Sequence, residues 1–460
     1  MLRRARFCER LPFAVERLPA LFPTPALLLD EFPDDLVEQL NCYDLSDISN
    51  QAVCEGTPAT FSVAEITGAA VIYEWQEKIG DADWVPLDPN PNTYTYTIPN
   101  TLIEDDGKLY RVVVRASGNT TGCKVSISRK VSLNVESAGI WNGEIDNDWN
   151  NSANWSCNTV PTIETNVLIP ENLISGNYPI INPGNNALSK DFTIENTASV
   201  TIIENWLRIA GNLTNSGVLN TETGSISFEG TSNQNIPVGA FQNNRIQNLR
   251  IDNTSGVTSE AIIEITGMLK VENGNFNTGN SLTLISDATQ TALIDGSGSG
   301  QVVGMVKMQR YLDIAFGYKY FSSPFQNSVV ADFEPFMDFT NATTGFPHFY
   351  RYNENRNIDI NGTAEDATGW EVHTGNLNIA EGYALNFGDT NNTVLVEISG
   401  EVNNGPIAAK TLLNHHREYT RGFHLVGNPY PSPIDWNVSN GNGWTRDNLD
   451  NGNYFFTSSD

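Results

Sequence analysis

Three tryptophans and three carboxylates crowd the stretch GIWNGEIDNDWNNSANWSCNTVP, from Gly139 to Pro161. Trp141, Trp149 and Trp155 are rings of the kind that stack on sugars when exposed and fill a core when buried. Glu144, Asp146 and Asp148 are groups that ligate calcium or move protons. The spacing allows three uses: a structural cap, a calcium loop or a sugar platform. The Asp-Asn-Asp run is shorter than a calcium loop with its distal bidentate glutamate, so Asp146 and Asp148 are weak calcium candidates. The stretch also precedes a long strand-rich region, whose first edge must be covered against stray pairing. The cap is therefore the expected role: the three tryptophans over apolar side chains, Asp146 and Asp148 turning the chain or capping N–H groups.

Little else nominates a reaction. A polysaccharide lyase on a β-helix needs carboxylates for calcium beside an Arg or Lys base. Arg208, Arg250 and Lys270 lie on predicted strands with Glu204, Asp252 and Glu272 nearby, but they fall at different phases of the repeat described below. His415 and His416 point to opposite faces if they lie on a strand, which suits no single metal. His348, His373 and His424 complete the histidines. There is no nucleophile elbow, phosphate loop or dinucleotide fingerprint. No catalytic residue and no cofactor-binding residue is assigned; calcium is the one cofactor with any candidate ligands.

The elements that must position these residues are strands. At 460 residues the length predicts about three domains. Acidic side chains number 54 against 26 basic, a formal net charge of −28, which disfavours nucleic acid and a polybasic membrane patch. No run of about 18 apolar residues exists, so no transmembrane helix is expected. Gly, Asn, Thr, Ser, Ile and Val dominate, the composition of short strands joined by turns. Residues 1–50 read as a poorly ordered leader, basic at first and then broken by Pro12, Pro19, Pro23 and Pro25. The end at NYFFTSSD stops on a strand-like run, as a fragment of something longer would.

Three modules follow. Residues 51–136 carry about seven alternating segments, the pattern of an immunoglobulin-like sandwich. Trp75 takes the buried position of the third strand and Tyr110 that of the corner tyrosine. Val112 stands where the second core cysteine of such domains falls. Of the five cysteines (8, 42, 54, 123 and 157), Cys54 and Cys123 are the pair inside this module and are expected to bridge its periphery. Scattered cysteines without a CxxC pair suit an oxidising compartment.

Residues 137–309 comprise the tryptophan segment and then a repeat. LRIAGNLTNSGVLN from Leu207 matches IEITGMLKVENGNFN from Ile263, an offset of 56 residues, about two or three coils. Short strands with Gly and Asn corners predict a parallel β-solenoid, with amide side chains bonding from coil to coil. Residues 310–460 are expected to form a β-sandwich or jelly-roll-like domain, truncated at its C-terminus. Within it GYKYFSSPF from Gly317 matches GFHLVGNPY from Gly422, a duplicated strand and turn ended by Pro324 and Pro429.

The segments YEWQEK, DADWVPL, YTYTIPN and EDDGKLYRVVV resemble the immunoglobulin-like repeats of large secreted Bacteroidetes surface proteins. The W-N-G…D-W…NW…C…VP…N-V-L-I-P pattern is similar to the segment that opens solenoid-like regions in the same proteins. EGYALNFG…ISGEVNNGPI…GFHLVGNPYPSPIDW resembles the region ahead of the sorting domain in proteins exported by the type IX secretion system. The resemblance implies a non-enzymatic, structural or adhesive segment at the cell surface or outside the cell, with glycans or other surface proteins as partners. The alternative is a carbohydrate-active protein, a glycan-binding module or a lyase.

Overall fold

A computed structural model describes residues 43–67, 70–117, 124–337, 339, 348–356, 369–388, 390–436, 438 and 445–449. The fold is all-β and contains a β-solenoid of about seven turns. No helix among the described residues is long and apolar enough to cross a membrane. Cys8, Cys42, Cys123 and the terminal NYFFTSSD lie outside the described residues. The chain forms two compact units: residues up to 140 together with 155–160, and residues 141–154 together with 161 onward.

The first unit is a sandwich, with eight strands among its described residues: β1 (Gln51–Cys54), β2 (Ala59–Ser62), β3 (Val71–Lys78), β4 (Val85–Pro86), β5 (Thr95–Ile98), β6 (Leu109–Ala116), β7 (Val125–Ile127) and β8 (Val131–Glu136). One sheet runs β1-β8-β6-β3-β4 with β7 beside β6, and β2 pairs with β5 in the other. Period-two alternation turns Trp75, Tyr110, Val112 and Val114 into the core. Trp75 lies opposite Val112 in register and donates its indole N–H to the Thr93 carbonyl at 2.9 Å. Phe61 packs on Tyr110 with ring centroids 4.7 Å apart, which joins the two sheets. Trp84 takes the Arg111 guanidinium over its ring at 4.2 Å.

Residues 43–50, expected within a poorly ordered leader, belong to the first unit. Leu45 and Ile48 are buried in this core, and the Ile48 carbonyl accepts from the Arg129 Nε and Nη2. The disulfide also differs from expectation. Cys54 is bonded to Cys157, 103 residues on, so it cannot pair with Cys123. Both sulfurs belong to the first unit, because residues 155–160 return to it.

The second unit holds the solenoid. Its strands are β9 (Val167–Ile169), β10 (Ile180–Ile181), β11 (Ala187–Ser189), β12 (Phe192–Ile194), β13 (Ser199–Ile209), β14 (Leu213–Asn215), β15 (Val218–Phe228), β16 (Gln234–Ile236), β17 (Arg245–Asp252), β18 (Val257–Ser259), β19 (Ile263–Asn273), β20 (Asn275–Asn277), β21 (Leu282–Leu284), β22 (Leu293–Asp295), β23 (Gln301–Val303) and β24 (Met305–Leu312). The long parallel sheet runs β10-β13-β15-β17-β19-β21-β24, and shorter parallel sheets β14-β12-β9 and β16-β18-β20-β23 supply other faces.

Register shows how the coils stack. Leu207, Ile226, Leu249, Leu269 and Ile294 form one buried column, with successive spacings of 19, 23, 20 and 25 residues. Ile209, Phe228, Ile251 and Val271 form the next inward column. Each such burial contributes about 1.5–3 kcal/mol before entropy is charged against it. The 56-residue match is therefore out of register. It aligns Leu207 with Ile263, whereas Leu207 stacks through three coils onto Leu269. Alternating apolar residues match themselves at many shifts, and only the corners carry the true phase.

Those corners depend on amides and glycines. Buried Asn253 donates to the Ser232 carbonyl at 2.7 Å and to Gln234 Oε1 at 2.9 Å, and Gln234 donates back to the Ile209 and Gly211 carbonyls. The coil-to-coil bonds thus run mainly from amide to backbone. Gly274 turns at φ 77°, where a Cβ would run into the Asn253 carbonyl.

The boundary expected at residue 309/310 falls inside β24. Among the described residues five more strands follow: β25 (Lys319–Phe321), β26 (Phe349–Tyr352), β27 (Trp370–Val372), β28 (Tyr383–Leu385) and β29 (Val394–Glu401). β29 joins the long solenoid sheet, antiparallel to β24 over eight rungs from Met305↔Glu401 to Leu312↔Val394. The other four form an antiparallel sheet in the order β25-β28-β26-β27. The third module is thus continuous with the solenoid rather than a separate domain. Both copies of its duplicated turn start on a glycine with φ near +80° and close alike. Phe325 N donates to Ser323 Oγ at 3.1 Å, as Tyr430 N does to Asn428 Oδ1 at 3.0 Å.

Candidate functional site

The tryptophan segment is divided between the two units. Trp141 and Trp149 go with the solenoid; Trp155 goes with the first unit. Trp155 thus groups apart from the other two rings, together with the residues that follow it. Ser156 N donates to the Ile140 carbonyl at 2.8 Å, Ser156 Oγ to the Ser137 carbonyl at 2.8 Å, and Cys157 is bonded to Cys54. All three rings are buried, at most 1 % exposed, and offer no face to a sugar.

Trp141 and Trp149 lie along the first coil. Trp141 N donates to the Leu168 carbonyl at 3.0 Å in β9, and its indole donates to the Asn177 carbonyl at 2.7 Å. Trp149 N donates to the Ile180 carbonyl at 3.2 Å, and Ile180 N donates to the Asn147 carbonyl at 2.7 Å. Asp148 is thereby paired with Ile180 in parallel register, on the side of β10 away from β13. The Trp149 ring packs on Phe192 of the coil interior, centroids 6.1 Å apart.

The acids between the rings are taken up by the chain itself. Asp146 accepts from Asp148 N at 2.9 Å, Asn154 Nδ2 at 2.6 Å and Asn151 Nδ2 at 3.1 Å. Those bonds, the one from Asn154 first, hold its carboxyl below the usual range. Asp148 Oδ1 accepts from Asn150 N at 3.0 Å, and Glu144 is exposed. No group of three or more metal-ligating side chains occurs among the described residues.

The organiser of this loop is Asn154, which the sequence does not single out. It is fully buried. Its Oδ1 accepts from Ile145 N and Asp146 N, both at 3.0 Å, and its Nδ2 donates to Asp146 and to the Asp148 carbonyl. All four hydrogen-bonding positions of the amide are filled. Asparagine is common throughout this chain, so the residue type alone carries no signal.

A second site emerges on the outward side of the solenoid. Arg208, Ser227, Arg250, Lys270 and Asp295 occupy one column on successive coils, between the two apolar columns. The cations expected at different phases of the repeat thus share one phase. Glu229 accepts from the Arg208 Nε at 2.9 and 3.0 Å and from its Nη2 at 2.6 Å, and lies 3.3 Å from Arg250 Nη1. Arg250 Nη2 reaches Asp252 at 2.8 Å and Glu272 at 3.7 Å. Lys270 Nζ lies 2.9 Å from Glu272 and 3.8 Å from Asp295. Glu204 stands apart, exposed at an irregularity of β13 with φ 46°. The hydrogen bond to Glu229 raises the pKa of Arg208, and that to Glu272 raises the pKa of Lys270. A general base needs the opposite shift.

The histidines do not converge. His415 N and Nδ1 bond the two carboxylate oxygens of buried Glu354 at 2.8 and 2.6 Å. His416 sits at φ 54° outside any strand. His373 and His424 bond the Asn376 and Leu413 carbonyls, and His348 is buried.

A search of curated proteins finds no match. A family model described as a domain of unknown function matches residues 140–227 and 205–459, the tryptophan segment, the solenoid and the module that follows. The chain belongs to that family, DUF8693.

Proposed function

We propose that the chain is a non-enzymatic structural and adhesive segment of a secreted or cell-surface protein. The observation that carries this reading is the parallel solenoid sheet with another segment laid against each of its end strands: Asn147–Trp149 along β10 and β29, antiparallel, along β24. Such additions keep the parallel end strands from templating further coils, which suits a protein that holds its stack apart from its neighbours at high local concentration. The Cys54–Cys157 bridge supports an oxidising location, and the resemblance to type IX-exported proteins supports export. The charge column supports the structural over the lyase reading, because its cations are held between carboxylates and the pKa values of Arg208 and Lys270 are raised. In the test, beads coated with the full chain are held under flow on a monolayer of cells, and the same chain is incubated with acidic and neutral polysaccharides. Retained beads and unchanged polymer lengths are expected. Chain-length reduction of any polysaccharide, or beads washed off like uncoated ones, would overturn the reading.

A further inference from the structure

The four-stranded sheet of β25, β28, β26 and β27 has two different faces. Phe321, Tyr383 and Phe349 turn inward, and Phe333 packs on both phenylalanines. Register places Tyr320, Ala384, Tyr350 and Val372 in one row across the other face. Tyr318, Tyr352 and Trp370 lie on the same face, two residues along their strands from this row.

The face is aromatic and open. Tyr318, Tyr320 and Val372 are 54 %, 52 % and 52 % exposed. Ala384 is small enough to let the rings of Tyr320 and Trp370 approach to 6.2 Å over the sheet, with planes 13° apart. Tyr318 and Tyr350 meet in a T-shaped pair at 5.8 Å, and Tyr352 and Trp370 in another at 5.1 Å. A contiguous exposed apolar patch marks an interaction site in a soluble protein. Here the patch is a platform of rings fixed by each other and by a sheet, so little side-chain entropy is lost on binding.

Charge and chemistry choose the occupant. None of these seven side chains is ionised, within a chain of net charge −28. That charge repels polyanions and a second copy of the chain. Aromatic faces are electron-rich and attract the partly positive C–H faces of sugar rings, while phenol hydroxyls exchange hydrogen bonds with sugar hydroxyls. We propose that this face binds an uncharged polysaccharide, with sugar rings stacked on Tyr320 and Trp370. The proposal rests on the adhesive reading above and names the ligand class.

The test is affinity electrophoresis of the full chain through gels containing galactomannan, mixed-linkage β-glucan, xyloglucan or glycogen, with polygalacturonate as the charged comparison. Retardation by at least one of the uncharged polymers is expected. Tyr320→Ala and Trp370→Ala should each weaken it tenfold or more, Tyr320→Phe should keep most of it, and Tyr94→Ala, an exposed ring elsewhere, should not change it. A melting temperature of Tyr320→Ala equal to that of the parent shows that the loss is not unfolding. If Tyr320→Ala melts lower, the comparison moves to Tyr320→Ser against Tyr320→Phe at a temperature where both are folded. No retardation in any gel would overturn the proposal. So would retardation that survives both alanine substitutions, retardation only by polygalacturonate, or a concentration-dependent dimer lost in Tyr320→Ala. Beads that still hold to cells when no gel retards the chain would leave the adhesive reading standing and remove this ligand alone.

Discussion

Pro324 and Pro429, equivalent positions of the duplicated turn, are joined through one residue. Asn403 donates its backbone N–H to the Pro324 carbonyl at 2.8 Å and its Nδ2 to the Pro429 carbonyl at 2.8 Å. The two copies also touch at matching positions, since a Cβ on Gly427 would run into the Ser322 side chain. Asn403 is 7 % exposed, so its loss leaves a carbonyl short of a donor. Asn403→Ala should cost about 1–3 kcal/mol, the usual penalty for an orphaned buried group. Hydrogen exchange should quicken at 425–430 and stay slow at 319–321, because the bond to Pro324 comes from the backbone.

The same reasoning applies at Asn154. Asn154→Ala should lower the melting temperature, by about 1–3 kcal/mol for each group left unpaired. Asn154→Asp should cost more, because it puts a second carboxylate against Asp146 and the Asp148 carbonyl where an amide now donates. Equal melting of the two variants would argue against the assigned amide orientation.

Trp149→Ala tests the role of the buried ring. Deleting a buried aromatic costs about 3–5 kcal/mol. Thermal melts with and without added calcium should show the same loss, because the Asp146 carboxylate is already occupied by N–H donors. Rescue by calcium would return Asp146 and Asp148 to the role of ligands.

Non-reducing peptide mapping should recover Cys54 and Cys157 in one linked peptide. In the chain-entropy model a bridge closing a loop of this size, 103 residues, contributes about 4.7 kcal/mol. Cys54→Ser should therefore destabilise the first unit by about 2–5 kcal/mol. Recovery of Cys54 linked to Cys123 would reverse the assignment.

Glu354 gives a pH dependence with a definite sign. Burial opposes its ionisation, yet the bonds from His415 hold its pKa below the ordinary 4.5. A carboxyl whose folded pKa is depressed stabilises the protein above its unfolded pKa, and that stability is lost as pH falls through the folded value. Protection factors at residues 412–421, corrected for the intrinsic pH dependence of amide exchange, should hold down to about pH 4.5 and fall below it. In Glu354→Gln they should be lower at neutral pH and constant across the same range.

What the sequence could show depended on how local the information was. Trp75 and Tyr110 were legible because a sandwich strand alternates over a few residues and each position declares its side. The solenoid was legible from its short strands and Gly and Asn corners. Its register was not, because coils of 19 to 25 residues absorb insertions at the corners and shift the phase. The charge column depends wholly on that register, so Arg208, Arg250 and Lys270 looked scattered. Cys157 lay hidden for another reason: the chain leaves the first unit at Trp141 and returns at Trp155, a path with no local signature.

The antiparallel strand at the end of the stack also sets an order of events. Every other neighbour pair in the long sheet is parallel and joins segments close in the chain, but Leu312 waits 82 residues for Val394. As the polypeptide emerges from its N-terminus, coils can lay down one on the next while the rim at Met305–Leu312 stays unpaired. Local contacts form fast and distant ones late. The last rim is sealed only when residues 394–401 arrive. A chain halted in that interval carries a bare template strand, and the hazard of mispairing is concentrated in this one window of synthesis.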